Sequence, residues 1–308
     1  MKINKLNVLG ILLLFIATIA WGSSFVILKE TISKVPTFYV LAIRFTLSGI
    51  LMGAICFKKI IKIPLKTIIA GVVLGVILAL AYDVQTFGLA KTSPARNAFL
   101  TSSYCIMTPF MVWLISKKRP KFYNLLAAFL CLFGIGLVVF SNQTDSGSML
   151  IGDLLTLVSA IFYALQIVFI DKYHDNGHDG MQLLVIELLT VGFINIILFL
   201  IFDLPQGTSV LLLTKEQFIK IMYLMLVCTL FAQFAMIFGQ SVTTANQASL
   251  ILSLEAVFGA LFSVILGAER FTIGLVIGFI VIFIAMSINE FHLDPMKLLK
   301  KKIEKNKN

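Results

Sequence analysis

Four ionisable side chains, Arg44, Asp83, Glu187 and Glu255, stand inside long apolar runs. A charge near the centre of a bilayer costs about 2.5–3.5 kcal/mol on insertion scales, so such residues are the first candidates for chemistry. A carboxyl group out of water can take up and release a proton, a guanidinium can meet a carboxylate, and aromatic faces can hold a cation. At 1.5 Å of rise per helical residue, Arg44 and Asp83 lie about 10–12 Å from one end of their runs. Trp21 and Tyr104 fall at a similar depth. Glu187, Gln166 and Gln233 lie about 9–10 Å from the other end, with Glu255 nearer the middle. Two polar layers are therefore expected, an outer one of Trp21, Arg44, Asp83 and Tyr104 and an inner one of Gln166, Glu187, Gln233 and Glu255. Arg44 and Asp83 share a layer and are placed either to form a fixed ion pair or to meet a ligand. Glu255, Glu187 and Asp83 are the candidate titrating groups.

Helical spacing supports shared faces. Asn97, Thr101, Tyr104 and Thr108 follow steps of four, three and four, which makes one polar stripe. Ser159, Tyr163 and Gln166 form another, and Gln233 and Gln240, seven apart, a third. Ser24 joins Trp21 on the first run. Ser249, Ser253, Ala256, Ala260 and Ser263 make a small-residue face that reads as close helix packing. Pro109 reads as a helix bend.

These residues need helices to hold them. Of 308 residues 59% are hydrophobic and only 13% are charged, against about 45–50% apolar in a soluble domain. The apolar runs are continuous rather than alternating, which predicts spanning helices and not barrel strands. Runs of about 20 residues fall near 6–28, 36–57, 67–90, 95–116, 121–140, 151–172, 181–202, 217–240, 246–267 and 271–289. The first run, after Lys2 and Lys5, is longer than the apolar core of a signal peptide and reads as a retained helix. Cys56, Cys105, Cys131 and Cys228 all lie in apolar runs without a C-x-x-C pair, so neither disulfides nor a metal site is expected. His174 and His178 flank a polar turn, with no H-E-x-x-H helix to make them metal ligands. No cofactor is implied.

The net charge of +10 does not point to nucleic acid, because the basic residues crowd the short loops. With Arg96 counted as a loop residue, the side carrying the N-terminus holds 17 Lys and Arg and the other side 7. That excess places both termini in the cytoplasm. The chain also repeats weakly. Phe87, Gly88, Thr92, Ser102 and Arg119 meet Phe238, Gly239, Thr243, Ser253 and Arg270 at a shift of 151. Ile43 and Gly49 meet Ile186 and Gly192 at a shift of 143. Each half holds five runs, and five is odd, so the halves enter from opposite sides. The expected fold is an all-α membrane protein of ten transmembrane helices as a 5+5 inverted-topology repeat. Residues 6–140 form one half, 151–289 the other, and 290–308 a basic tail. Substrate sites in such architectures lie between the halves.

Several motifs in order are similar to one family. The first run carries Trp21-Gly22-Ser23-Ser24-Phe25 and the second Arg44-Phe45. The third and fourth are joined by Phe87-Gly-Leu-Ala-Lys-Thr-Ser-Pro-Ala, with Pro109 beyond. The ninth carries Leu254-Glu255-Ala256-Val257-Phe258 and closes on Gly267-Ala268-Glu269-Arg270. Over residues 8–289 this resembles the EamA family of the drug/metabolite transporter superfamily. The resemblance implies a ten-helix carrier with a central cavity between its halves, packing of the fifth and tenth helices at the periphery, and a place in the cell membrane. Two positions depart from the family pattern. Lys117-Lys118 stand where an acidic residue is frequent, and Ala256 stands where a proline is common, which predicts a less kinked ninth helix.

The expected activity is secondary transport, by alternating access, of amino acids or related amphipathic metabolites, in the export direction. Arg44 would meet a carboxylate, the inner acids an amine, and Trp21, Tyr104 or Tyr163 an apolar body. Organic cations held by the acids and rings are the alternative cargo. Protons are the candidate coupling ion, and oligomeric state is left open. Two other classes fit the sequence less well. An intramembrane aspartyl protease would use Tyr82-Asp83 and Gly152-Asp153, but Leu150 stands where that motif needs glycine, and Asp153 begins its run at the membrane surface. A channel or structural subunit is disfavoured by the inverted repeat.

Overall fold

The computed structural model describes residues 5–117, 119–140, 147–207, 213–268 and 273–290. Glu269-Arg270, Lys118 and the tail from residue 291 lie outside the described residues. A backbone in lipid must satisfy its own hydrogen bonds, and the apolar runs accordingly wind into helices. In chain order these are α1 (Lys5–Ile32), α2 (Thr37–Ile55), the single turn α3 (Phe57–Ile60), α4 (Leu65–Lys91), α5 (Pro94–Ser102), α6 (Tyr104–Ser116) and α7 (Phe122–Phe140). The chain continues through α8 (Gly147–Asp175), α9 (Gly180–Leu198), α10 (Lys215–Met225), α11 (Ala232–Gln240), α12 (Ala245–Ser253), α13 (Glu255–Ile265) and α14 (Ile273–Glu290). Among the described residues, 8 helical segments are long and apolar enough to cross a membrane. The fifth and tenth expected spans are helical too, but their apolar stretches, Phe122–Cys131 and Val276–Ala285, are shorter.

Two spans are broken at matching places. Pro94–Ile115 is interrupted at Ser103 and Ala245–Ile265 at Leu254, 151 residues further on. The first break falls before Pro109, through which α6 continues. The second occurs without a proline, so Ala256 does not straighten the ninth span. The starts of the broken spans match as well. Ser93 caps α5 by accepting from the Arg96 backbone N–H, with Pro94 at the first helical position. Thr244 caps α12 in a capping box with Gln247. Each cap satisfies backbone donors that the first turn of a helix leaves unpaired. The eighth span, Lys215–Gln240, is continuous but contains a wide π-type turn at Leu226–Phe231, between α10 and α11.

The helices pack through small residues. α4 lies against α8 and α9, α1 against α11 and α13, and α2 against α9. At the α4–α8 crossing, a Cβ on Gly88 would come within 2.8 Å of the Gly152 carbonyl oxygen. At the α1–α11 crossing, a Cβ on Gly10 would come within 3.5 Å of the Gly239 backbone. Backbones approach this closely only where no side chain intervenes. The small-residue face of the ninth span is buried as expected, with Ser249, Ser253, Ala256, Ala260 and Ser263 all turned inward. α7 and α14 pack chiefly on each other, and Phe99 of α5 stacks on Phe279 of α14. Large apolar side chains such as Ile50, Ile69, Phe129, Phe193 and Ile265 face outward, as lipid contact requires. The four cysteines are free, and all but Cys56 are buried.

Candidate functional site

Among the described residues, the helices surround a cavity built from both halves of the chain. α1 contributes Trp21, Ser24, Phe25 and Leu28, α4 Tyr82, Gln85 and Leu89, and the broken α5–α6 span Thr101 and Tyr104. From the second half come Tyr163, Gln166 and Ile167 of α8, Gln233 and Met236 of α11, and Leu252 and Glu255 of α12–α13. The free volume between these side chains is about 30 Å³, room for about one or two waters and well below that of a preformed small-molecule site. The side chains divide it so finely that a cargo larger than water must displace some of them.

The helix breaks position the two most distinctive groups. Tyr104 and Glu255 each begin a new helix immediately after an interruption, at Ser103 and Leu254. Both are buried, and the Tyr104 hydroxyl is turned toward the Glu255 carboxyl. Glu255 Oε1 lies 3.4 Å from Ser102 Oγ. Gln85 links the halves, accepting from Tyr163 Oη at 2.7 Å and donating to Thr101 Oγ1 at 2.9 Å. Tyr163 packs edge-on against Tyr82 and beside Tyr104, with ring centroids 5.6 and 6.2 Å away.

Seven expected site residues meet here: Trp21, Ser24, Tyr104, Tyr163, Gln166, Gln233 and Glu255. The two expected polar layers are therefore one cavity, because the breaks bring Tyr104 and Glu255 together. Trp21 lines the cavity, and its indole N–H donates to the Cys228 carbonyl at 2.9 Å.

Arg44, Asp83, Asn97 and Glu187 stand outside the lining. Glu187 is one bond behind it, accepting from Gln166 Nε2 at 2.7 Å. Asn97 donates to Thr156 Oγ1 at 2.7 Å and holds α5 to α8. The break at Ser103 ends the continuous stripe expected from Asn97 to Thr108, and Thr108 bonds back to the Tyr104 carbonyl. Gln240 donates to the Ile167 carbonyl, away from Gln233. Arg44 does not pair with Asp83. Its Nε donates to Thr229 Oγ1 and its Nη2 reaches the Cys228 carbonyl, both in the π-type turn. Its Cζ lies over the Tyr82 ring, 5.1 Å from the centroid. The widened turn presents Thr229, whose hydroxyl donates to the Leu224 carbonyl at 2.9 Å, as an acceptor for the guanidinium. Asp83 is half-buried beside Asn195.

Sequence reasoning missed Gln85, although an amide in an apolar run is itself a signal. It also missed the ion pair of Arg96 with Asp153, both fully buried. Arg96 thus lies in α5 and not in a loop, and Asp153 is buried within the protein. Thr92 donates to the same carboxylate at 2.6 Å. The pair joins α5 to α8, which leaves Asp153 unavailable as the partner of Asp83 in a protease dyad. Among the described residues, no cluster of three or more His, Cys, Asp or Glu side chains could hold a metal.

The family model described as the EamA-like transporter family matches the chain twice, over residues 8–140 and 150–290. The chain belongs to the EamA-like transporter family. This EamA protein is 28% identical over 268 residues to an uncharacterized transporter of Archaeoglobus fulgidus, covering 84% of this chain and 78% of the relative. It is 21% identical over 294 residues to the uncharacterized transporter YoaV of Bacillus subtilis, covering 91% and 96% of the two chains. A solved crystal structure with 14% identity superposes at a TM-score of 0.69 over 96% of this chain and 98% of that one, a likeness of fold alone. This EamA protein is a multi-pass membrane protein of a transporter family.

Proposed function

We propose that the protein is a secondary carrier that exports small amphipathic metabolites by alternating access, with the cavity between two inverted five-helix repeats as its site. The observation that carries this reading is the cavity itself: both matched halves supply its wall, and the wall mixes aromatic rings with buried polar groups. Local features recur across the halves and support the repeat. The caps Ser93 and Thr244 are 151 residues apart, as are the breaks at Ser103 and Leu254. The Gly88–Gly152 contact of α4 with α8 is matched by the Gly239–Gly10 contact of α11 with α1. Counting α7 and α14 gives ten spans, and an even number puts both termini on one side. The basic loops make that side the cytoplasm of a cell-membrane protein, with or without Arg96 in the count.

Glu255, Glu187 and Asp83 are the candidate proton-coupling groups. All three lie inside spans, and among the described residues none is in an ion pair. Protonation in one conformation and not the other would link transport to the proton gradient. The test is transport by purified protein in proteoliposomes, with and without an imposed pH gradient. Gradient-dependent movement that is lost in Glu255→Gln or Glu187→Gln is expected. If both variants and Asp83→Asn keep the full pH dependence, the coupling assignment fails. If wild-type vesicles move amines and amino acids no faster than empty ones, the carrier reading itself fails.

A further inference from the structure

We propose that the cargo's recognised end is a primary ammonium, carried on an aromatic or branched apolar body, and that the cavity discriminates against zwitterions. The proposal rests on the carrier reading for where the cargo goes, but on the cavity's donors and acceptors for what the cargo is.

Most of the cavity's donors are spent within the protein; one lining hydroxyl, Tyr104 Oη, is buried without a hydrogen-bond partner and can donate or accept. Trp21 Nε1 is held by the Cys228 carbonyl, Ser24 Oγ by the Trp21 carbonyl at 2.7 Å, and Gln85 Nε2 by Thr101. Gln166 Nε2 is committed to Glu187, and the Gln233 amide faces the Tyr82 hydroxyl. Its acceptors are left over. Gln166 Oε1 and Gln233 Oε1 are buried without a partner, on side chains each 1% exposed. The Glu255 carboxylate lines the same cavity.

Leaving a buried acceptor unpaired is expensive, so a bound group that supplies N–H donors is favoured over one that brings more acceptors. An ammonium offers three donors from one centre, which suits two amide oxygens and a carboxylate, and the Tyr82, Tyr104 and Tyr163 rings add cation–π attraction. A carboxylate on the cargo finds no basic side chain among the lining residues. Arg44, the nearest candidate, is bound to Thr229 and Cys228 behind the wall. A quaternary ammonium has the charge but no N–H to give.

The probes are phenylethylammonium, phenylalanine and phenyltrimethylammonium, which share a ring and differ in the end group. Binding to the purified full-length protein in lipid nanodiscs is measured by calorimetry. Phenylethylammonium should bind at least about tenfold more tightly than either of the others. Glu255→Gln should lose about tenfold or more for phenylethylammonium. Gln233→Met, which keeps the volume and removes the amide oxygen, should weaken phenylethylammonium by a larger factor than phenyltrimethylammonium. The second variant decides the question if Glu255→Gln does not give a monodisperse protein. The proposal is overturned if phenylalanine binds as tightly, if phenylethylammonium does not bind, or if the folded variants bind it like wild type. Uptake into proteoliposomes separates the two readings. Binding without uptake sinks the carrier and spares the ligand class. Preferential uptake of phenylalanine does the reverse.

Discussion

The Arg96–Asp153 pair offers a stability test whose size follows from burial. The side chains are 2% and 1% exposed, and Thr92 adds a 2.6 Å hydrogen bond to the carboxylate. Breaking a buried pair by removing one partner costs about 3–5 kcal/mol, because the remaining charge keeps its desolvation penalty and loses its counter-charge. Asp153→Ala should therefore destabilise the α5–α8 junction by that amount. At about 2–4 °C per kcal/mol for chains of 150–250 residues, the apparent melting temperature should fall by roughly 6–20 °C. Replacing the pair together, Arg96→Met with Asp153→Leu, removes both charges and should recover most of the loss. The assay is thermal unfolding of the detergent-solubilised full-length protein, followed by size-exclusion chromatography of a fluorescent fusion. If Asp153→Ala melts within about 2 °C of wild type, the pair is not the strong uncompensated contact that its burial implies. If the double variant is worse than the single, the desolvation argument is wrong.

Two further outcomes are expected. Gly88→Val must push against the Gly152 carbonyl, 2.8 Å from a Cβ at that position, and against Thr156 Oγ1 at 2.6 Å. It should cost about 1–3 kcal/mol by the same melting assay, and a neutral result would mean that α4 and α8 can separate freely. Asp179 lies in the loop between α8 and α9. Burial pushes its carboxyl up, but hydrogen bonds from Lys59 Nζ and from the Met181 and Gln182 N–H groups outweigh this and hold it below 3.8. A depressed folded value means stability that is present above about pH 4 and lost as pH falls through the folded value. Asp179→Ala should cost about 0.5–2 kcal/mol as a lost helix cap at neutral pH. The gap to wild type should close only in acid, and a gap that closes between pH 5 and 8 would contradict the assignment.

The membrane class, the helix positions and the family motifs were legible in the sequence. Each depends on a local requirement: about 20 apolar residues to cross a bilayer, and a backbone that bonds to itself. Trp21, Tyr104, Tyr163, Gln166, Gln233 and Glu255 were legible as residues turned toward an interior cavity, because a polar or aromatic group deep in an apolar run is costly to leave facing lipid. The ion pair of Arg96 was not legible. It sits near the start of its helix, where sequence counting treats it as a loop charge, and its partner Asp153 is 57 residues away.

The partnerships of the buried charges were decided by tertiary structure. Depth along a helix places Arg44 and Asp83 in one layer, but each residue also turns the side chain by about 100° around the axis. That rotation, and the π-type turn that offers Thr229 and the Cys228 carbonyl, sends the guanidinium away from Asp83. The breaks at Ser103 and Leu254 likewise set Tyr104 and Glu255 on one cavity wall instead of in two layers. Apolar periodicity determines that a helix is buried. Which face meets which neighbour depends on interruptions and close crossings shared between helices far apart in the chain, and only the folded arrangement contains those.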